Sequence, residues 1–253
     1  MSTLNVIRKK NYAIVEMDQG KVNALNTDLW RDLGDTFRTL DSDDKIMGAI
    51  LSGRPHCFSA GLDIMHIAQL SKEEYAEYWR IALTTLRDMI RFSKPLIGAI
   101  TGYAPAGGTI LALTTDYRIM GRGPKHVIGM HEFKMSLLIP ELLCDIYAYH
   151  MGEKEAWVAV QNAQLYHSDD AVKVGLVNES ADVEEVLNKA EKHLEKQIGV
   201  YAPVFKMSKK YLRRELLNRV DIDVESHVQE FCKFGEDPMI AEMMKMFLST
   251  LKK

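Results

Sequence analysis

The 253-residue chain carries only three cysteines, Cys57, Cys144 and Cys232. They are odd in number, far apart and outside any C-x-x-C, so neither a disulfide framework nor a zinc site is expected, and a reducing compartment fits best. No apolar run approaches the roughly 18 residues that a membrane-spanning helix needs. Charge of one sign is also missing: 32 basic residues face 35 acidic ones, for a formal net charge of −3. With the two signs mixed along the chain, neither a nucleic acid nor a membrane surface is expected as a partner. The N-terminus, MSTLNVIRKK, has no apolar signal core and no Arg/Ser-rich presequence. A cytoplasmic location is expected, with a mitochondrial matrix after leader removal as the alternative. There is no G-x-x-x-x-G-K-[ST] phosphate loop, no G-x-G-x-x-G dinucleotide fingerprint and no internal repeat.

What is present suits a globular α/β protein. Hydrophobic residues make up 47% of the chain, ample for the core of one large domain or of a domain with a smaller appendage. Residues Leu4 to Met17 alternate around Lys10-Asn11 as a β-hairpin, and Thr27 is positioned to cap a helix running through Leu40. IMGAIL, Ile46–Leu51, reads as a buried strand that empties into FSAGLDI, Phe58–Ile64. Ser71-Lys-Glu-Glu has the pattern of a capping box, and Tyr75, Trp79, Leu83, Leu86 and Ile90 recur at helical spacing as far as Phe92. Lys94-Pro95 ends that helix. Leu96–Ile100 is a second buried strand, leading into GYAPAGGTILALTTDYRIM, Gly102–Met120: a glycine turn, a short helix from Thr109 to Leu113 and a strand-like YRIM. From Glu141 onward the pattern is almost entirely helical, broken at Pro203 and Asp237-Pro238, with Met239–Leu251 as the last helix.

Two glycine elbows therefore follow two strands, at Ala60-Gly61 and at Gly107-Gly108. The first N–H groups of a helix lack intrahelical acceptors and lie at the positive end of its dipole. If the elbows face each other, one N–H from each can converge on a single oxygen, and small side chains let a substrate reach the main chain. Spacing alone leaves a second reading open, in which both are ordinary tight turns of an α/β fold.

The ordered set GKVNALN (Gly20–Asn26), FSAGLDI, KPLIGAITGYAPAGG (Lys94–Gly108), DYRIM (Asp116–Met120) and IGMHEF (Ile128–Phe133) resembles the crotonase, or enoyl-CoA hydratase/isomerase, superfamily over nearly the whole chain. The PAGG form of the second elbow, the DYRI that follows and IG-x-x-E are most similar to its mitochondrial-type Δ3,Δ2-enoyl-CoA isomerase branch. The resemblance implies a β-β-α spiral core over residues 1–198 and a helical C-terminal region over 199–253 that makes contacts in a homotrimer or a dimer of trimers. It implies an acyl-CoA thioester as substrate, its oxygen held by the N–H groups of Ala60 and Gly107. It also implies a substrate lining of Ala60, Gly61, Leu62, Asp63, Ile64 and Gly107, and a CoA adenine near Lys21, Ala24 and Leu25. No metal or separate cofactor is implied, since coenzyme A arrives as part of the substrate.

Moving a double bond from the 3- to the 2-position requires proton removal at C2, a stabilised dienolate and proton return at C4, all within reach of one carboxylate. Hydratases of the superfamily usually use two glutamates. Here the position behind the second elbow is Ile110, and only Glu132 is kept. A lone carboxylate in an apolar pocket should have a raised pKa and act as a single acid/base. His131, where the isomerases usually have asparagine, is a candidate substrate contact or a modulator of Glu132. Ser136 replaces a glycine common after the glutamate. His56 and His66 are expected at the surface or pocket rim, and the Tyr75–Ile90 stripe in the core or the acyl-tunnel wall. Lys206, Lys209, Lys210, Arg213 and Arg214 form either a solvated helix face or a contact for CoA phosphates. The expected activity is 3-enoyl-CoA to trans-2-enoyl-CoA isomerisation in β-oxidation of unsaturated fatty acids. The alternatives are another crotonase-family enzyme, such as a hydratase, and a non-catalytic acyl-CoA-binding protein.

Overall fold

The computed structural model describes residues 2–240, 242 and 243. The helix expected over Met239–Leu251 therefore lies largely outside the described residues. The chain opens on an antiparallel hairpin of β1 (Leu4–Arg8) and β2 (Ala13–Met17), with Leu4 opposite Met17 and Arg8 opposite Ala13. Lys10-Asn11 sits in the turn, as the alternation predicts. The helix α1 (Thr27–Ser42) follows. Its cap is Asn26 rather than Thr27: the Asn26 side chain accepts from the N–H of Leu29, which a carboxamide does as well as a hydroxyl.

Three windings then share one plan, in which one strand enters a large sheet, the next enters a small sheet, and helical chain returns. The first comprises β3 (Ala49–Ser52), β4 (His56–Cys57), α2 (Ile64–Ile67) and α3 (Lys72–Arg91). The second is β5 (Leu96–Ile100), β6 (Gly102–Pro105) and α4 (Gly107–Leu113). The third is β7 (Tyr117–Gly121) and β8 (Val127–Gly129), a 3-10 turn over Glu132–Met135, then α5 (Glu141–Met151) and α6 (Glu153–Gln161). Next come β9 (Tyr166–His167), α7 (Ser168–Lys173), β10 (Glu179–Ala181) and α8 (Val186–Ile198). The helices α9 (Ala202–Leu212), α10 (Arg214–Arg219) and α11 (Val224–Gly235) complete the described chain. β9 and β10 interrupt the stretch expected to be helical; at two and three residues they are too short to leave a periodic signature.

The large sheet has the order β1-β2-β3-β5-β7-β10 and is parallel from β2 onward. The small sheet has the order β4-β6-β8-β9 and is parallel except for its last pair. β3 and β5 are buried along their whole length, which explains why they are apolar apart from Ser52 at the end of β3. Ile14, Ile50 and Ile97 face Ala190 and Leu194 of α8 on one side of the large sheet. Val15 and Leu51 join the main core with Leu33 and Phe37 of α1 and Leu83 and Leu86 of α3 on the other. The capping box of α3 forms as read: Ser71 and Glu74 each accept the other's backbone N–H. Among the described residues no helix is long and apolar enough to cross a membrane.

Part of the late basic cluster has a different role from either one expected of it. Lys209 and Arg213 close on Asp116 at the start of β7, with Lys209 Nζ 2.6 Å from Asp116 Oδ2 and Arg213 Nη1 on Oδ1. Lys209 also donates to Lys94 O at 2.9 Å, and the N–H of Leu96 donates to Asp116 Oδ2 at 2.9 Å. This pins α9 to the first residues of β5 and β7. Removing one member of a largely buried ion pair leaves the other charge uncompensated. Asp116→Ala is therefore expected to lower unfolding stability by about 3–5 kcal/mol in urea titrations, whereas Lys210→Ala, on an exposed side chain, should change it by less than about 0.5 kcal/mol.

Candidate active site

The two elbows meet. Gly61 (φ 85°) ends the first; a β-carbon built on it would lie 3.1 Å from Gly107 N, 3.1 Å from Pro105 O and 3.2 Å from the Ala106 β-carbon. One on Gly107 would lie 3.0 Å from Leu25 Cδ1 and 3.4 Å from Gly61 Cα. Only glycine allows this approach at Gly61, both for the space and for the left-handed backbone. Between the elbows Ala106 holds φ 53° and ψ −125°, a conformation that costs an L-residue free energy and that the fold must impose. It does so through the Ala106 N–H, which donates to Gly129 O at 2.8 Å and ties the second elbow to β8.

The first elbow is laced to the loop before α1. Asn23, buried and at φ 48°, donates from Nδ2 to Phe58 O at 3.0 Å, and its backbone O accepts from Ser59 Oγ at 2.7 Å. Ser59 Oγ in turn accepts from the Gly61 N–H at 3.2 Å. Tyr78 of α3, fully buried, donates to Leu25 O at 2.8 Å and accepts from the Trp30 indole at 3.1 Å. Asn23, Ser59 and Tyr78 are positioning residues missed at the level of sequence. The only signal was an asparagine, tolerant of positive φ, inside the GKVNALN segment.

This lacing decides which amides remain available. The N–H of Ala60, expected to hold a thioester oxygen, is committed to Val22 O at 2.9 Å. Leu25 bridges to Leu62 in parallel, its N–H donating to Gly61 O at 2.8 Å and its O accepting from the Asp63 N–H at 3.2 Å. Backbone groups alternate in direction along an extended strand, so the Leu62 N–H points away from Leu25, and it has no acceptor among the described residues. Gly107 is the first residue of α4, and its N–H is likewise unpaired because no residue one turn back can accept it. The available donors are thus those of Leu62 and Gly107. Ala60 is corrected to a structural role, because loop residue Val22 occupies its N–H.

Leu62, Gly107 and Glu132 line one cleft of about 660 Å³, mouth included. Its remaining wall is apolar, with Ile64 and Ile67 from α2, Tyr75 and Trp79 from α3, and Leu137 to Pro140 and Leu143 around the start of α5. Phe231, Phe234 and Ile240 close it from the C-terminal side. Glu132 begins the 3-10 turn, 7% exposed, with Oε2 unpartnered among the described residues. Burial pushes its pKa up from 4.5 to about 7, against the opposing pull of its own and His131's backbone N–H groups. Ser136 ends the turn at φ 53° and ψ 36°, so a left-handed position is filled here without glycine.

The other expected residues are placed as follows. Ile110 is buried in the core, 1% exposed, one turn into α4 and outside the cleft lining. Asp63 caps α2 by accepting the His66 N–H at 2.9 Å instead of lining the cleft. Lys21 is exposed, Ala24 half-buried, and Leu25 packs against Gly107. His131 does not line the cleft; its Nδ1 is buried without a partner among the described residues, and burial holds its pKa below the usual histidine value. His66 Nε2 pairs with Thr27 Oγ1 at 2.8 Å, and His56 with His126 at 3.3 Å. Trp79, Leu83, Leu86 and Ile90 are buried in the core, and Trp79 together with the half-buried Tyr75 also faces the cleft.

The family model described as enoyl-CoA hydratase/isomerase matches residues 8–253. The chain belongs to that family. It is 32% identical to the rat mitochondrial enoyl-CoA delta isomerase 1 over 241 residues, 95% of this chain and 83% of the relative. It is also 28% identical to a short-chain-enoyl-CoA hydratase of Clostridium acetobutylicum, over 88% of this chain and 85% of that one. Among solved structures, the human mitochondrial Δ3,Δ2-enoyl-CoA isomerase superposes with a TM-score of 0.93 at 28% identity, covering 99% of this chain and 98% of that one. The two-sheet winding is the crotonase fold of this family. As an enoyl-CoA hydratase/isomerase family enzyme, the protein acts on an acyl-CoA substrate.

Because Glu132 binds its proton more tightly folded than unfolded, its ionisation opposes folding as pH rises from about 4.5 to about 7, and the penalty is constant above that. Glu132→Gln removes it. The variant should match the wild type near pH 4 and be more stable by up to roughly 3 kcal/mol at pH 8, read from denaturant midpoints at the two pH values.

Proposed function

We propose that this family member is a Δ3,Δ2-enoyl-CoA isomerase with Glu132 as its single acid/base. The observation that carries the reading is that Glu132 is the only carboxylate among the described residues lining the cleft. In this reading the thioester oxygen accepts from the Leu62 and Gly107 N–H groups, with α4 directing its positive end at the same point. Ionised Glu132 takes the C2 proton; negative charge moves through the dienolate onto the oxygen; the same carboxyl returns a proton at C4, leaving the trans-2-enoyl ester. The step is a proton transfer with no net oxidation, so coenzyme A, carried in by the substrate, is the only cofactor moiety it uses. Ile110 supports isomerisation over hydration, because an aliphatic side chain behind the second elbow offers no group to orient an attacking water. A role in β-oxidation of unsaturated fatty acids accords with this chemistry.

The hydratase alternative has one observation in its favour: His131, next to the base in sequence though outside the cleft lining, has a buried Nδ1 with no partner among the described residues. The CoA portion is proposed to lie along Lys21, Ala24 and Leu25, where the exposed Lys21 can meet a phosphate. A homotrimer or dimer of trimers is proposed through the C-terminal region. The exposed apolar face of α9 supports it: Tyr201, just before the helix, is 74% exposed, Tyr211 62% and Leu212 82%.

Initial rates on trans-3-hexenoyl-CoA and crotonyl-CoA test the assignment. Isomerisation should exceed hydration many-fold and fall at least about 1,000-fold in Glu132→Gln, with kcat/KM of the wild type rising through an apparent pKa of about 7 toward alkaline pH. Dominant hydration would overturn the lone-base reading. Gly61→Ala, which would force the elbows apart, should lower kcat by about 100- to 1,000-fold while the Glu132 pH profile persists.

A further inference from the structure

Trp79 of α3 and Phe231 of α11 are in edge-to-face contact, their ring centroids 4.4 Å apart at 63°. Both rings, with Phe234 and the Leu138–Pro140 segment, are shared by two cavities. On one side lies the cleft with Glu132 and Gly107; on the other lies a second, solvent-open cavity of about 890 Å³, mouth included, lined further by Leu83, Glu141, His227 and Glu230. The aromatic pair is thus a partition, and the chemistry differs across it. On the near side the wall beyond Glu132 is apolar apart from the Tyr75 hydroxyl and the Trp79 indole. On the far side stand the Glu141–His227 pair, 3.0 Å apart, and Glu230. An alkyl chain gains transfer free energy from the near wall and would gain far less against carboxylates.

The partition is held in place from both ends of α11. Arg80 on α3 makes a forked pair with Glu225 at 2.9 and 3.1 Å, and Lys72 Nζ lies 2.9 Å from Glu236. Between them Tyr75 stacks on Phe231 at 14°. These ion pairs are exposed and individually weak, but they bracket the aromatic contact and fix its register. We infer that the Trp79–Phe231 pair is the stop that sets acyl chain length, and that opening it joins the two cavities into one longer channel. The inference rests on the acyl-CoA reading above and adds to it which residues select among chain lengths.

The test is a ladder of straight-chain trans-3-enoyl-CoA esters from hexenoyl to hexadecenoyl, with the wild type, Phe231→Ala and Trp79→Leu. For the wild type, kcat/KM should climb about fourfold per added methylene while the chain still fits, then level off or fall. In the variants the break should move to longer esters, raising the hexadecenoyl-to-hexenoyl ratio of kcat/KM by about tenfold or more, the worth of roughly two further buried methylenes. Phe231 is half-buried, so its variant keeps the test open if Trp79→Leu does not fold. An unmoved break in Phe231→Ala would overturn the inference. The same ladder of saturated acyl-CoA esters, read as Kd by calorimetry, reports the stop without any turnover. Failure of the isomerase reading would leave that break and its shift intact, whereas failure of the stop would leave hexenoyl turnover intact.

Discussion

The contact between Gly61 and Gly107 is the constraint on which the site depends. Two chain reversals, separated by more than forty residues, approach so closely that a single β-carbon at the first would press on the backbone of the second. From that contact follow the placement of Leu62 and Gly107 in the lining of one cleft, the position of α4 with its first residue at that cleft, and the strained dihedrals of Ala106. The fold supports it from both sides. The Asn23 and Tyr78 hydrogen bonds hold the loop before α1 against the first elbow, and β8 receives the Ala106 amide behind the second.

Glu132 is tuned by the same architecture. It starts a short 3-10 turn at the end of β8, where the chain leaves the small sheet and enters an apolar wall built from α2, α3 and the start of α5. Burial outweighs the pull of its own and His131's backbone N–H groups and brings the carboxyl's pKa to about 7, so it can exist as base or acid at physiological pH. A second carboxylate in the same cleft would couple to it and split the pair's titration. Ile110 at the neighbouring family position leaves that interaction out and contributes instead to the core between α4 and the rest of the fold.

The C-terminal helices do more than cover the sheets. α9 is anchored through the partly buried Asp116–Lys209–Arg213 cluster, which uses two of the cations that the sequence offered as a basic face. α11 lies along α3 and supplies Phe231 and Phe234 to the cleft. The wall around the apolar part of the site is therefore assembled from residues more than 150 positions apart, with Trp79 from one helix and Phe231 from the other.

Much of this was legible in the residues. The hairpin, the Leu96–Ile100 strand, the capping box at Ser71 and the pair of glycine elbows are local patterns, set by side-chain alternation, helix-end chemistry and backbone freedom, and they need no distant partner to be recognised. The presence of a single glutamate with an isoleucine at the companion position was equally visible. The amide that faces the cleft was not visible. Ala60 and Leu62 are two residues apart in the same elbow, and only the tertiary fold decides between them, because Val22 arrives to take one N–H while the parallel bridge to Leu25 leaves the other facing away from Leu25. β9 and β10 escaped for a related reason, being strands that exist by pairing with β8 and β7 rather than by any pattern of their own. The sequence by itself determined which groups could do chemistry and where the chain must turn; long-range hydrogen bonds and packing decided which of those groups are taken up by the fold and which line a common cleft.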